Sequence, residues 1–171
     1  LPFNTPGSSE EIEPATEKTY QGILNKTTQY WKAIVNQGMD LDLPDAILED
    51  LHKAFQVHVS ISGDKDTTTG MTILPPGSWL YRACGNEACW QIVMLDQAGQ
   101  HAKAEQLLKI FLETQGALGL DGNFTSKEGT LQGLDLDEGK PFHTHFSYNL
   151  DHGVIMECLA DHYFYSGDRA W

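Results

Sequence analysis

Apolar residues recur along most of the chain with the period of a helix. From about Thr16 to Gln37, Tyr20, Ile23, Leu24, Tyr30, Trp31, Ile34 and Val35 form a stripe that predicts a first helix stopping at Gly38. Pro44 and Asp45 suit the first turn of a second helix, with Ile47, Leu48, Leu51, Ala54 and Phe55 as its apolar face. Its end is ambiguous, because Phe55–Ile61 also alternates with the period of a strand. A third helix is expected from about Asn86 to Ala98, apolar on more than one side and so expected to be buried on both. Gly99 ends it, and a fourth follows with Ala104, Leu107, Leu108, Phe111 and Leu112 on one face of a polar helix. A fifth resumes near Asn149 with Val154, Ile155, Cys158, Leu159 and His162 in line, ends at Ser166-Gly167-Asp168, and offers Asp168 as a cap to a further helix.

Between these helices lie segments of two kinds. Gly38, Gly99 and Gly167 mark tight turns, whereas residues 62–85 and 116–148 are long and rich in Gly, Asp and aromatics. If helices alternate in direction as antiparallel hairpins, the tight turns share one end of the layer. The long connections then share the other, with the starts of the third and fifth helices. Functional groups concentrate on long loops held by a rigid scaffold, so that end is the candidate site face. Residues 1–15, with three prolines and no period, read as an irregular entry segment before a helical domain over 16–171.

Composition narrows the partners. The 171 residues carry 24 acidic against 11 basic side chains, so the surface field repels phosphate backbones and anionic lipid, and neither nucleic acid nor membrane is an expected partner. No run reaches the ~20 apolar residues that span a bilayer, and no signal peptide is legible at the start of the chain. Cys84 and Cys89 bracket a short stretch and would either bridge in an oxidising compartment or, with Cys158, remain buried thiols. No phosphate-cradling glycine loop and no nucleophile signature around a cysteine is present.

Local phrases add a resemblance. Trp79-Leu80-Tyr81-Arg82-Ala83-Cys84-Gly85-Asn86-Glu87 leads into the third helix, Gln115 precedes a Gly122-Asn123-Phe124 loop, and Asn149-Leu150-Asp151-His152-Gly153 opens the fifth helix, which closes on His162 to Trp171. Over residues 16–171 this layout resembles the six-hairpin glycosidases, and is most similar to the α-L-rhamnosidase-like glycoside hydrolases. The resemblance implies an all-α fold of antiparallel helical hairpins forming part of an (α/α)6 toroid, secretion or a periplasmic location, and a carbohydrate partner. Such a toroid closes with twelve helices, whereas this chain supplies five and the start of a sixth. The rest would come from a larger polypeptide or from other subunits.

Glycoside hydrolysis needs one carboxylic acid to protonate the leaving oxygen and one carboxylate to activate water or attack the sugar. Glu87, at the start of a helix expected to be buried, is the candidate acid; Asp151, at the start of the fifth helix on the same face, is the candidate partner. The ordinary roles of such residues are a first-turn dipole contact and a helix cap. Sugars stack on aromatic rings and bond at their polar edges, which makes Trp79, Tyr81, Phe124 and Phe142, with Arg82, Asn86, Asp121 and His152, the candidate binding set. No cofactor is required, and calcium at Asp135 and Asp137 is the alternative left open. Asp135 and Asp137 alternate like the start of a calcium loop but lack its later bidentate Glu, and His143, His145 and His152 match no recognised zinc spacing. The alternative to an enzyme is a non-catalytic carbohydrate-binding or assembly module on the same scaffold.

Overall fold

A computed structural model describes residues 16–65, 70–76, 82–117, 126, 128–135, 140–142 and 148–171; for 82, 134, 135, 140–142, 148 and 149 it describes the backbone alone. The chain divides into two units, Leu1–Ala33 and Ile34–Trp171. The predicted entry segment, residues 1–15, lies outside the described residues.

In the first unit, α1 (Glu17–Val35) begins with a reciprocal cap. Thr16 Oγ1 accepts from the Thr19 amide at 3.2 Å, and Thr19 Oγ1 accepts from the Thr16 amide at 2.8 Å, so two of the orphan donors at the helix start are satisfied. Glu17 near the start and Lys32 near the end both complement the helix dipole. No residue of α1 is buried, and Tyr20, Ile23, Leu24 and Tyr30 of its apolar stripe are exposed.

The second unit is helical, with small sheets inserted in its connections. Asp45 caps α2 (Ala46–Ser62) by accepting from the Ile47 amide at 2.9 Å. The ambiguous Phe55–Ile61 segment is helix. Its buried residues are Gln56 and Val59, three apart, while Ile61 is exposed; a strand would have buried every second residue. The buried face is also rotated from the expected stripe, since Ile47, Leu48 and Leu51 are exposed and only Phe55 of that set packs on the core.

The core is built by α3 (Gly85–Gln97), α4 (His101–Glu113) and α5 (Tyr148–Ser166), each packed against the other two. Helix α4 buries Ala104, Leu107, Leu108 and Phe111 as its pattern predicts, and Ile110 besides, but Leu112 is exposed. Helix α3 buries one face, through Ala88, Cys89, Ile92 and Leu95; Trp90 and Met94 on the opposite side are exposed, so the expectation of burial on both sides fails within this chain. Helix α5 lays Val154, Ile155, Cys158 and His162 into the same core. Each fully buried Leu, Ile or Phe contributes about 1.5–3 kcal/mol, which is why these three helices rather than α1 hold the domain together.

Two antiparallel sheets occupy the connections. Strand β1 (Asp64–Lys65) pairs with β2 (Thr72–Ile73), and β3 (Arg82–Ala83), β4 (Gly133–Asp135) and β5 (Lys140–Phe142) form a second sheet in that order. Segments of two or three residues are too short to show an alternating pattern, so the sequence reads them as loop. Ile73 and Leu74 drop from β2 into the helical core, and Gln106 of α4 bonds Thr72 at 3.0 Å.

Three contacts in succession fix the direction of α3 against α5: Asn86 with Asp151, Cys89 with Cys158, and Asp96 with His162. Both sequence positions rise together, so the helices run parallel with their starts at one end. At the other end the tight turns converge. The Met39 amide donates to the Ala98 carbonyl at 2.6 Å, and Gln97 bonds the Tyr165 hydroxyl at 3.1 Å. A methyl group on Gly38 would lie 2.4 Å from the Ala98 oxygen, so only glycine allows the turns at 38 and 99 to touch.

Candidate functional site

The expected site face begins where α3 and α5 start. Asp151, in the first turn of α5, is 1% exposed, and its Oδ1 accepts from the Asn86 amide at 3.2 Å. Cys84, at the cap position of α3, supplies no side-chain acceptor. A carboxylate from the neighbouring helix therefore does the capping, placing negative charge where the α3 dipole favours it. The helices must approach closely for this. A Cβ on Gly85 would lie 2.6 Å from Ile155 Cδ1 and 3.2 Å from Asp151 Cβ, so glycine is the residue that admits the contact.

Beside the cap, Asn86 Oδ1 accepts from the Glu87 amide at 2.8 Å, and the Glu87 side chain is exposed rather than enclosed. His152 is half-buried, with Nδ1 accepting from the Leu131 amide at 3.0 Å. A backbone N–H can only donate, so the ring hydrogen of the neutral imidazole sits on Nε2. That bond ties α5 to the segment 128–132, which is clipped in turn to the end of α4: the Gly116 amide donates to the Thr130 carbonyl at 2.8 Å, and Gln132 Nε2 donates to the Thr114 carbonyl at 2.6 Å.

Asp151, Asn86, Glu87 and His152 thus share one end of the α3–α5 pair, as expected. The surroundings of the two carboxylates differ from one another. Asp151 is committed to a backbone amide in the interior, and Glu87 faces solvent. Arg82, Asp135 and Phe142 are placed by backbone alone, in the β3-β4-β5 sheet, where Arg82 pairs with Asp135 and Gly133 with Phe142. Trp79, Tyr81, Asp121, Phe124 and Asp137 lie outside the described residues, as do His143 and His145. Among the described residues no three His, Cys, Asp or Glu side chains converge on a metal-sized site.

A polar cluster that the sequence did not single out lies near the tight-turn end. Asp96, 2% exposed on the buried face of α3, holds two imidazoles. His162 Nδ1 is 2.9 Å from both of its oxygens, and His101 Nδ1 is 2.9 Å from Oδ1. The Trp171 ring stands edge-on to His162, with centroids 4.4 Å apart. A carboxylate that orients an imidazole also occurs in acid–base relays, but His162 is 1% exposed and closed over by Trp171. The geometry is that of a staple joining α3, α4 and α5. An Asp beside Leu95 in an apolar helix and a His within an apolar stripe were the available signals.

The described residues also enclose two depressions. An open cleft of about 290 Å³ lies at the tight-turn end between Val35, Asn36, Gly38, Met39, Asp40, Lys53 and Gln56. Gln56, at its floor, is fully buried and bonded to Gln100 and His52. A narrow groove of about 30 Å³ runs between α3 and α5, and Cys89 and Cys158 line it. All three cysteines are buried thiols, and the neighbour of Cys89 is Cys158 rather than Cys84. The hydrogen bond to the Cys158 side chain, which favours the protonated thiol, then burial, then the charges at Cys158 and Asp151 push the Cys89 thiol well above its ordinary value.

No family model, curated protein or solved structure matches this chain. No helix among the described residues is long and apolar enough to cross a membrane.

Proposed function

We propose that this chain is a carbohydrate-engaging helical-hairpin domain of the glycoside hydrolase type, a segment of a larger (α/α) toroid that meets its glycan at the end where α3 and α5 begin. The observation that carries the proposal is the segregation of ends. Tight turns at 38 and 99 touch one another, while the starts of α3 and α5 are joined through Asp151 at the opposite end, beside β3 and the segment 128–132. A scaffold that gathers its variable loops at one end offers a binding face there.

Recognition, rather than hydrolysis by Glu87 and Asp151 as a pair, is the role these residues support. A carboxylate that is 1% exposed and bonded to the α3 backbone is not free to activate water. Glu87 remains available to donate a proton or bond a sugar hydroxyl, and cleavage would need a second carboxylate from the loops or from the rest of the toroid. Helix α5 supports the larger assembly: one face lies in the core, and the opposite one exposes Leu150, Met156, Tyr163 and Phe164. A helix apolar on both sides is suited to burial on both.

The test pairs binding with turnover. Neutral oligosaccharides of plant, algal and bacterial polysaccharides are titrated by calorimetry, and release of reducing ends is followed in parallel. The proposal expects saturable binding that Trp79→Ala weakens at least tenfold, with Asp151→Asn leaving any turnover unchanged once folding is matched. Absence of binding to every member of the panel would overturn it.

A further inference from the structure

Cys89 and Cys158 meet across a close-packed pair of parallel helices. The Cys158 thiol donates to the Cys89 carbonyl with Sγ and O 3.6 Å apart. The Asn86–Asp151 contact on one side of this level and the Asp96–His162 contact on the other hold the helices in register. Both thiols are buried, at 0% and 1% exposure, yet both border the groove of about 30 Å³ that opens between α3 and α5. A water molecule needs ~10–15 Å³ of such space, so the groove admits an oxidant about the size of two waters and little more. Its remaining walls include Glu157 and Asp161, whose carboxylates disfavour an anionic oxidant. Cys84 does not line it.

We propose that Cys89 and Cys158 form a reversible redox pair, which hydrogen peroxide closes into a disulfide joining α3 to α5. The attacking thiol gives its proton to the departing hydroxide. The Cys158 sulfur takes one peroxide oxygen as the O–O bond breaks, leaving a sulfenic acid and one water. The Cys89 sulfur then attacks that sulfur, the S–O bond breaks, and a second water leaves. Two thiols are oxidised to one disulfide, and one peroxide is reduced to two waters. A dithiol reductant reverses the step by exchange.

The experiment uses the full chain. The protein is incubated with hydrogen peroxide, or separately with oxidised glutathione, then quenched with an alkylating agent and analysed by intact mass and peptide mapping. The proposal expects hydrogen peroxide to remove the mass of two hydrogens, to link the peptides holding Cys89 and Cys158, and to leave Cys84 alkylated. Dithiothreitol should restore all three thiols, and oxidised glutathione should act at least tenfold more slowly. Because the link closes a long loop of the unfolded chain, the melting temperature should rise on oxidation in wild type and in Cys84→Ala, but not in Cys158→Ala. Sulfinate on either cysteine without a crosslink, a link through Cys84, or no change under peroxide would overturn it; these wild-type outcomes stand even if a variant fails to fold.

Discussion

Replacing Asp96 by alanine isolates the polar staple of the helical core. The carboxylate is 2% exposed and meets three imidazole contacts at 2.9 Å, two to His162 and one to His101. Its removal leaves the Nδ1 of a histidine that is 1% exposed with neither acceptor oxygen. Leaving a buried donor without its acceptor costs ~1–3 kcal/mol. The His101 half is different, because that side chain is 37% exposed and solvent screens it, so its loss costs about 0–1 kcal/mol. Against a total stability of ~5–15 kcal/mol, Asp96→Ala should remove a measurable fraction. Equilibrium urea unfolding measures this, followed by circular dichroism and by tryptophan fluorescence, to which Trp171 beside His162 contributes. The expected order is Asp96→Ala and His162→Ala strongly destabilised, with His101→Ala near wild type. An Asp96→Ala loss under about 0.5 kcal/mol, or equal losses for the two histidines, would refute the reasoning.

Two further perturbations address the end where α3 and α5 begin. Gly85→Ala places a methyl group 2.6 Å from Ile155 Cδ1, an overpacking that should cost ~1–3 kcal/mol in urea unfolding; the paired Gly85→Ala, Ile155→Val variant should recover part of it, and a neutral single variant would contradict the close approach. His152→Ala removes the acceptor of the Leu131 amide, so hydrogen exchange at Leu131 should quicken at least tenfold while the amides of α4 hold their protection; unchanged exchange would show that segment 128–132 is held by other contacts.

The physical reach of each signal set how much the chain disclosed before folding. The α4 stripe was legible because one clean apolar face met one partner surface, and most of its residues are buried as read. Helix α2 carries apolar residues on more than one side, so periodicity found the helix without finding which side packs: Gln56 and Val59 face inward while Ile47 and Leu51 do not. The convergence of the turns at Gly38 and Gly99 followed from loop lengths, and the Met39–Ala98 bond is its physical form. The two sheets carry too few residues to generate a pattern. Asp151 was legible as a capping residue, yet the helix that it caps begins 66 residues earlier at Gly85, a pairing that no local spacing encodes. The Asp96–His162 staple escaped for the same reason, its members being separated by 66 residues.

The proposal that carbohydrate meets this domain where α3 and α5 begin can be probed by an amide NMR titration of the full chain with neutral oligosaccharides. Saturable shifts should cluster at Asn86, Glu87 and His152, with the amides of Ala98, Gly99 and Gly38 at the opposite end unmoved. Shifts clustered at the tight-turn end, or no shifts with any oligosaccharide, would contradict it.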